Sequence, residues 1–212
     1  MRECLTDLRS TRNPKARIKI LEGHFATVNS HINTYIDMST VKCRHNNGRE
    51  TARVLANHFQ NNTMIDTIVC LDGTELIGAF MAEFLADTGI MSINSGKNIS
   101  IITPDVNAYG QLVFSTLRMI KHMQVLVLAA SVTTGQTITR AAEAVSYYGG
   151  TVRGVAAIFS NVEQTAEGME IFSIFQKEDL PDYQAYLPSE CPMCRKKMPI
   201  DAIVNSFGYS KL

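Results

Sequence analysis

Thr133-Thr134-Gly135-Gln136-Thr137 is the stretch of this 212-residue chain best equipped for chemistry. It follows the apolar run 125–130 and offers backbone N–H groups and three threonine hydroxyls to an anion. A helix beginning near Thr137 adds the positive end of its dipole, so the implied chemistry is the cradling of a phosphate. A strand-to-helix turn capped by threonine is the plainer account of the same residues. Cys191-Pro192-Met193-Cys194 is a second constellation, with the two-residue spacing that lets both thiolates reach one zinc ion. A structural zinc wants four ligands, and no second pair stands nearby in sequence. A two-fold dimer, Cys43, Cys70 or His24 would complete the set; a redox pair and inert thiols are the alternatives. Arg195, Lys196 and Lys197 beside the pair favour thiolate, although charges on an exposed tail are ordinarily just solvated. Lys42, Arg44, His45 and Arg49 form the densest basic cluster, beside Asn46-Asn47-Gly48. It reads as a solvated turn ahead of a helix from Glu50, with anion or partner binding as the second reading.

The 20 Lys and Arg residues cancel the 20 Asp and Glu, leaving no net charge. Long-range attraction to nucleic acid or to an anionic membrane is therefore not expected. Five cysteines is an odd number, and Cys4, Cys43 and Cys70 are scattered, which argues against a disulfide framework. No apolar run follows the basic residues between 2 and 19, so no secretory signal is expected, and runs such as 125–130 are too short to span a bilayer. The expectation is a cytoplasmic, soluble protein with neither nucleic acid nor membrane as partner.

The elements that must position these residues are read from periodicity and breakers. Residues 12–22 predict a short helix ending near Gly23. Residues 24–27 and 33–37 predict two strands around the polar turn Val28-Asn29-Ser30-His31. Ala52, Val54, Leu55 and Phe59 share one face of a helix over 50–59. A strand over 67–71 is broken by Asp72-Gly73-Thr74, and a helix over 76–85 follows. Residues 98–103 are β-rich and closed by Pro104. A short strand over 111–115 and a linker or helical turn over 116–122 lead to the main strand at 125–130. A helix over 137–148 stops at Gly149-Gly150. Residues 152–159 suit a fully buried parallel strand, and 171–175 a last one. Strands alternating with amphipathic helices predict a parallel sheet covered on both faces, with ligands beyond the C-terminal ends of its strands. That brings loops 72–75, 104–110 and 131–137 together. From Asp179 onward the chain reads as irregular, rich in Pro, Cys and Lys. Tyr147, Tyr148, Phe114 and Met119 read as packing or dimer-contact residues.

This order of elements around the Thr-Thr-Gly turn resembles type I phosphoribosyltransferases, and orotate phosphoribosyltransferases most of all. Gly23-His24-Phe25 through Tyr35-Ile36-Asp37 resembles their N-terminal hood hairpin. Gly149-Gly150 through Phe159 resembles the strand after their phosphate-binding helix. The Cys191–Cys194 segment with Arg195 and Lys196 resembles the cysteine-containing ending of some members. The resemblance runs over residues 18–200. It implies an α/β fold with a central, mainly parallel sheet flanked by helices and a small N-terminal hood hairpin. A single domain over 1–180, with the hood in 12–45, would carry an irregular appendage over 181–212. It further implies a homodimer, a phosphorylated ribose or nucleotide ligand whose 5-phosphate lies on Thr133, Thr134, Gly135, Gln136 and Thr137, and Mg²⁺ accompanying any pyrophosphate.

The same resemblance exposes departures. Ala129 and Ala130 stand where the family has an acidic pair for the ribose hydroxyls, and a methyl group neither accepts a hydrogen bond nor offsets charge. Asp72 and Glu75 bring negative charge to the loop that wraps the pyrophosphate, although either acid would also stabilise a helix start. Residues 103–110, matching the flexible catalytic loop, contain no lysine, arginine or histidine. Ser160-Asn161 lacks the arginine used against the orotate carboxylate, and the hood turn has His31 in place of a stronger base. Such chemistry is electrostatic positioning, and losing one well-placed donor costs about 10²–10³ in rate. The reading is an orotate phosphoribosyltransferase-like protein that binds a phosphorylated ribose or nucleotide without ordinary transferase activity. Two others stand beside it: an active transferase for orotate or another base using an acid such as Asp105 or Glu75, and a non-catalytic structural or partner-binding homodimer.

Overall fold

The structure, a computed structural model, describes residues 5–89, 91–205 and 208–211; Cys4 lies outside them. In chain order, β1 (Thr6–Arg9), β2 (Arg17–Ala26) and β3 (His31–Asp37) precede α1 (Ser39–Cys43) and α2 (His45–Phe59). β4 (Thr67–Cys70) leads into α3 (Glu75–Ala86), followed by β5 (Ser100–Ile102) and the ribbon of β6 (Asp105–Val106) and β7 (Leu112–Val113). β8 (Gln124–Val132), α4 (Gln136–Tyr147), β9 (Thr151–Ser160) and β10 (Ile171–Gln176) complete the alternating part. The tail holds β11 (Ala185–Tyr186), α5 (Pro192–Arg195), β12 (Ala202–Asn205) and β13 (Gly208–Lys211).

The central sheet is parallel throughout, in the order β10-β9-β8-β4-β5. The period of two in β8 explains its unbroken apolar sequence, because each face meets a different layer. Leu126, Leu128 and Ala130 point into a core shared with Leu55 and Phe59 of α2 and Ile77 and Met81 of α3. Val125, Val127 and Ala129 point into a second core with Ile138, Ala141 and Val145 of α4. Because the strands run parallel, the loops after β4, β5 and β8 leave at one end of the sheet. No helix among the described residues is long and apolar enough to cross a membrane.

At the opposite end of the strands, Asp66 ties three of them together. Its Oδ1 accepts from Lys97 Nζ at 2.8 Å, its Oδ2 from the Gln124 N–H at 3.0 Å, and its own backbone bonds Gln124 and Ser100. Burial alone would raise the Asp66 pKa, but the bonds from Lys97 and Gln124 outweigh it and hold the carboxyl below its ordinary value. A depressed folded-state pKa stabilises above the unfolded value and is lost as pH falls through it. Asp66→Asn is therefore expected to cost about 1–2 kcal/mol at pH 7. The gap between variant and wild type, measured by urea denaturation, should close below about pH 4.

Two expectations are corrected in the second, six-stranded sheet, ordered β11-β3-β2-β12-β13 with β1 on β2. Residues 12–22 are not helical; most of them belong to β2, paired on one edge with β1 and on the other with β3. Ile18, Leu21 and Phe25 are buried at a spacing that mimics a helix, and a register shift between Glu22 and Phe25 breaks the alternation at the end of that run. The tail is not irregular either: β11 pairs with β3, β12 runs parallel to β2, and β13 pairs with β12. Strands this short carry no visible periodicity, and Pro188, Pro192 and Pro199 interrupt them. A third correction concerns the basic cluster: His45 and Arg49 lie in the first turns of α2, not in a turn before it. Tyr148 packs edge-on against Phe114 at 5.5 Å between ring centroids, whereas Tyr147 is exposed.

Candidate functional site

The hood sheet and the tail build the densest constellation of ligating atoms in the described residues. Ala26 pairs with His31 across the β2–β3 hairpin, and His24, two residues earlier, shares that face. His24 Nε2 lies 3.1 Å from His31 Nδ1. Cys191 at the start of α5 brings its Sγ to 3.6 Å from His24 Nε2, and Cys194 Sγ lies 3.6 Å from His24 Nε2 and 3.2 Å from His31 Nδ1. The four ligand atoms all fall within 4.8 Å of one another, a group able to hold one metal ion. His24 and Cys191 are buried, Cys194 is exposed and His31 is intermediate.

The backbone around this group fixes His24 from behind. Its Nδ1 lies 3.1 Å from the carbonyl oxygens of both Met198 and Pro199, which only accept, so the ring proton sits on Nδ1 and the Nε2 lone pair faces the cysteines. The His24 N–H donates to Asp201 Oδ2 at 2.8 Å, and the Asp201 N–H donates to the His24 carbonyl. Gly23 makes room for that clamp, since a Cβ there would sit 2.8 Å from Asp201 Oδ2. Partial burial, then the neighbouring His24, lowers the His31 pKa and favours its neutral, ligating form. The other cysteines named as completing ligands do not join. Cys70 is buried in the core with its thiol pushed up to about 12, burial being the main cause, and Cys43 is exposed at the end of α1.

At the C-terminal ends of the central strands, the turn after β8 has the expected form. Gly135 adopts a left-handed conformation (φ +82°) at the N-cap of α4, and no side chain caps that helix. The first N–H groups of a helix have no intrahelical acceptor, and here Thr134, Gln136 and Thr137 are exposed beside them. A Cβ on Gly135 would lie 3.5 Å from Thr165 Cα, where the β9–β10 connection crosses the turn. That connection also delivers Glu167, whose Oε2 accepts from Thr139 Oγ1 at 2.7 Å. The Thr139 hydroxyl is the main reason the Glu167 carboxyl titrates below its ordinary value.

The rest of this end is short of cations and rich in engaged acids. Ala129 and Ala130 are 1% and 5% exposed, each packed in one of the two cores. Asp72 (φ +58°) and Gly73 (φ +77°) turn the chain after β4, and Lys42 Nζ donates to the Asp72 carbonyl at 2.9 Å. Thr74 is buried, its hydroxyl donating to Leu71 and Leu128 carbonyls. Glu75 Oε1 accepts from Thr103 Oγ1 at 2.8 Å. The segment matching the flexible loop forms the β6–β7 ribbon, with Asp105, Val106 and Tyr109 exposed and Asn107 organising its turn. Asp72 and Glu75 are the hard oxygen donors that would suit Mg²⁺ here, a cation that usually keeps several waters and binds with phosphates.

No protein-family model matches the chain. In sequence it is 25% identical over 193 residues to the orotate phosphoribosyltransferase of Chlorobaculum parvum, an alignment covering 86% of this chain and 88% of that protein. The orotate phosphoribosyltransferase of Mycobacterium tuberculosis, solved with Fe(III) dicitrate, superposes with a TM-score of 0.52 at 18% identity, over 77% of this chain and 92% of that one. The adenine phosphoribosyltransferase of Trypanosoma brucei, solved with AMP, pyrophosphate and ribose-5-phosphate, gives 0.53 at 13% identity, over 82% and 80%. The architecture is that of type I phosphoribosyltransferases. Enzymes for different bases share it, so the fold leaves the chemistry to be argued from the residues.

Sequence reasoning found Cys191 and Cys194, named His24 among several completing ligands, and missed His31. The signal was present: two histidines seven residues apart flank a tight turn, which puts them on one face of a hairpin. It also missed Glu167 and Thr139, whose contact spans two elements.

Proposed function

We propose that this protein binds a phosphorylated ribose or nucleotide at Thr133, Thr134, Gly135, Gln136 and Thr137, as a homodimer, and does not perform ordinary phosphoribosyl transfer. The observation that carries this reading is a contrast at one end of one sheet. The β8–α4 turn keeps an uncapped helix N-terminus on a left-handed glycine, while Ala129 and Ala130 are core side chains that supply no carboxylate. A phosphate needs only N–H donors and hydroxyls. Breaking the bond between ribose and pyrophosphate also needs charges placed where charge develops. Of the acids an active enzyme would recruit, Glu75 is held by Thr103 and Asp105 stands on an exposed ribbon. The same proposal includes a structural zinc on Cys191 and Cys194.

The test is calorimetric titration with inorganic phosphate, ribose-5-phosphate and nucleoside monophosphates, with and without Mg²⁺, alongside sedimentation. Saturable binding by a dimer supports the reading, and no binding by any of them favours the purely structural alternative. Glu167 gives a prediction with its own sign. Its carboxylate sits beside the start of α4, where it competes with an incoming anion for the helix dipole. Glu167→Gln is expected to tighten phosphate binding about two- to fivefold, most at low ionic strength, as read by the same titration.

A further inference from the structure

We propose that His24 Nε2, His31 Nδ1, Cys191 Sγ and Cys194 Sγ hold one zinc ion in a closed, four-coordinate site within a single chain, and that this ion clasps the C-terminal tail to the hood sheet. The inference deepens the structural-zinc reading by naming all four ligands and the ion's task. It uses none of the residues proposed for phosphate binding after β8.

The distances carry it. Zn–N bonds of about 2.0–2.1 Å and Zn–S bonds of about 2.3 Å at tetrahedral angles place two nitrogens about 3.3 Å apart and nitrogen and sulfur about 3.6 Å apart. The structure has 3.1 Å for the nitrogen pair, and 3.6, 3.6 and 3.2 Å for three of the four nitrogen–sulfur pairs, with all four atoms within 4.8 Å of one another. The tautomer agrees: with the His24 Nδ1 proton committed to the Met198 and Pro199 carbonyls, Nε2 offers only a lone pair to the group. Four ligating atoms converge on one point, two of them on buried residues, and once the cysteines are thiolates the group is crowded with lone pairs that repel one another. A cation serves all of them. Two thiolates with two imidazoles suit zinc and exclude Mg²⁺ and Ca²⁺, which take oxygen.

The topology gives the ion its task. His24 and His31 belong to β2 and β3, whereas Cys191 caps α5 and Cys194 lies within it, 167 residues away from His24 in the case of Cys191. Beyond α5, the tail returns to pair β12 with only two residues of β2, Ala202 opposite Phe25 and Ile203 opposite Ala26. So slight a pairing does not hold a tail by itself. A metal bond closing so long a loop stabilises by binding only the folded arrangement.

The experiment uses the full chain, purified without chelators. Elemental analysis is expected to give one zinc per chain. Cobalt substitution is expected to give the visible bands of a tetrahedral site with thiolate-to-cobalt charge transfer. His31→Ala and Cys194→Ser, which change the less buried ligands and so leave the cores intact, should weaken zinc by more than the about 10–100-fold that loss of an outer-shell partner costs. Chelation of the wild type should speed tryptic cleavage at Arg195, Lys196 and Lys197, and His31→Ala should already be fast. One zinc per two chains, unaffected by His31→Ala, would overturn the four-ligand site while leaving a cysteine-bridged structural zinc standing. Absence of zinc, with no tetrahedral cobalt spectrum, would overturn both.

Discussion

Ala129→Asp is expected to destabilise the protein by about 3–5 kcal/mol without conferring phosphoribosyl transfer. At first sight the substitution restores what an active relative would carry. The packing says otherwise. Ala129 is 1% exposed, sits between Leu128 and Ala130 on a central strand, and shares the core under α4 with Val127, Ile138 and Ala157. A carboxylate there would be surrounded by apolar side chains, so it must either unfold its surroundings or take up a proton. For a chain of this size the loss corresponds to a fall in Tm of about 6–20 °C. Differential scanning calorimetry at pH 7 reads the fall, and a pyrophosphate-release assay reads the absence of activity. A stable Ala129→Asp variant that turns over phosphoribosyl pyrophosphate would mean that the position opens to the ligand.

Gly135→Ala combined with Thr134→Ala is expected to lower affinity for inorganic phosphate at least about tenfold while leaving the fold in place. The left-handed conformation of Gly135 (φ +82°) aims the turn at the helix N-terminus. An L-residue pays about 1–2 kcal/mol to stay there. The new methyl would meet Thr165 Cα at an ordinary 3.5 Å, so strain and not collision drives the change. As the backbone relaxes away from φ > 0, the N–H groups lose their convergence, and the Thr134 hydroxyl is gone as well. Circular dichroism close to wild type, with weak binding by calorimetry, is the expected pair of results.

How far the sequence reached depended on how local each signal was. The central sheet was legible because each of its strands, β4, β5, β8, β9 and β10, is either a continuous apolar run or is bounded by a strong breaker such as Asp72-Gly73 or Gly149-Gly150, whereas β6 lies in a stretch that reads as a loop. The reading of Ala129 and Ala130 as missing carboxylates rests on the family resemblance, and the structure adds that both are buried. The hood was harder: Ile18, Leu21 and Phe25 are buried three and four residues apart, a spacing that looks helical, and the irregularity between Glu22 and Phe25 removes the strand alternation that would have corrected it. The metal group was half legible, because the Cys191–Cys194 spacing is local whereas the arrival of the histidines depends on how β12 folds back along β2. Contacts such as Lys42 to the Asp72 carbonyl and Thr139 to Glu167 join separate elements through long-range side-chain bonds, and nothing in the local pattern announces them.

The most direct test puts one preparation through two measurements: calorimetric titration with nucleoside monophosphates, and pyrophosphate release from phosphoribosyl pyrophosphate with orotate and purine bases. Binding that disappears in the Thr134→Ala, Gly135→Ala variant, together with no release above the uncatalysed background, is the predicted outcome. Release at an ordinary enzymic rate, abolished by the same two substitutions, would contradict it.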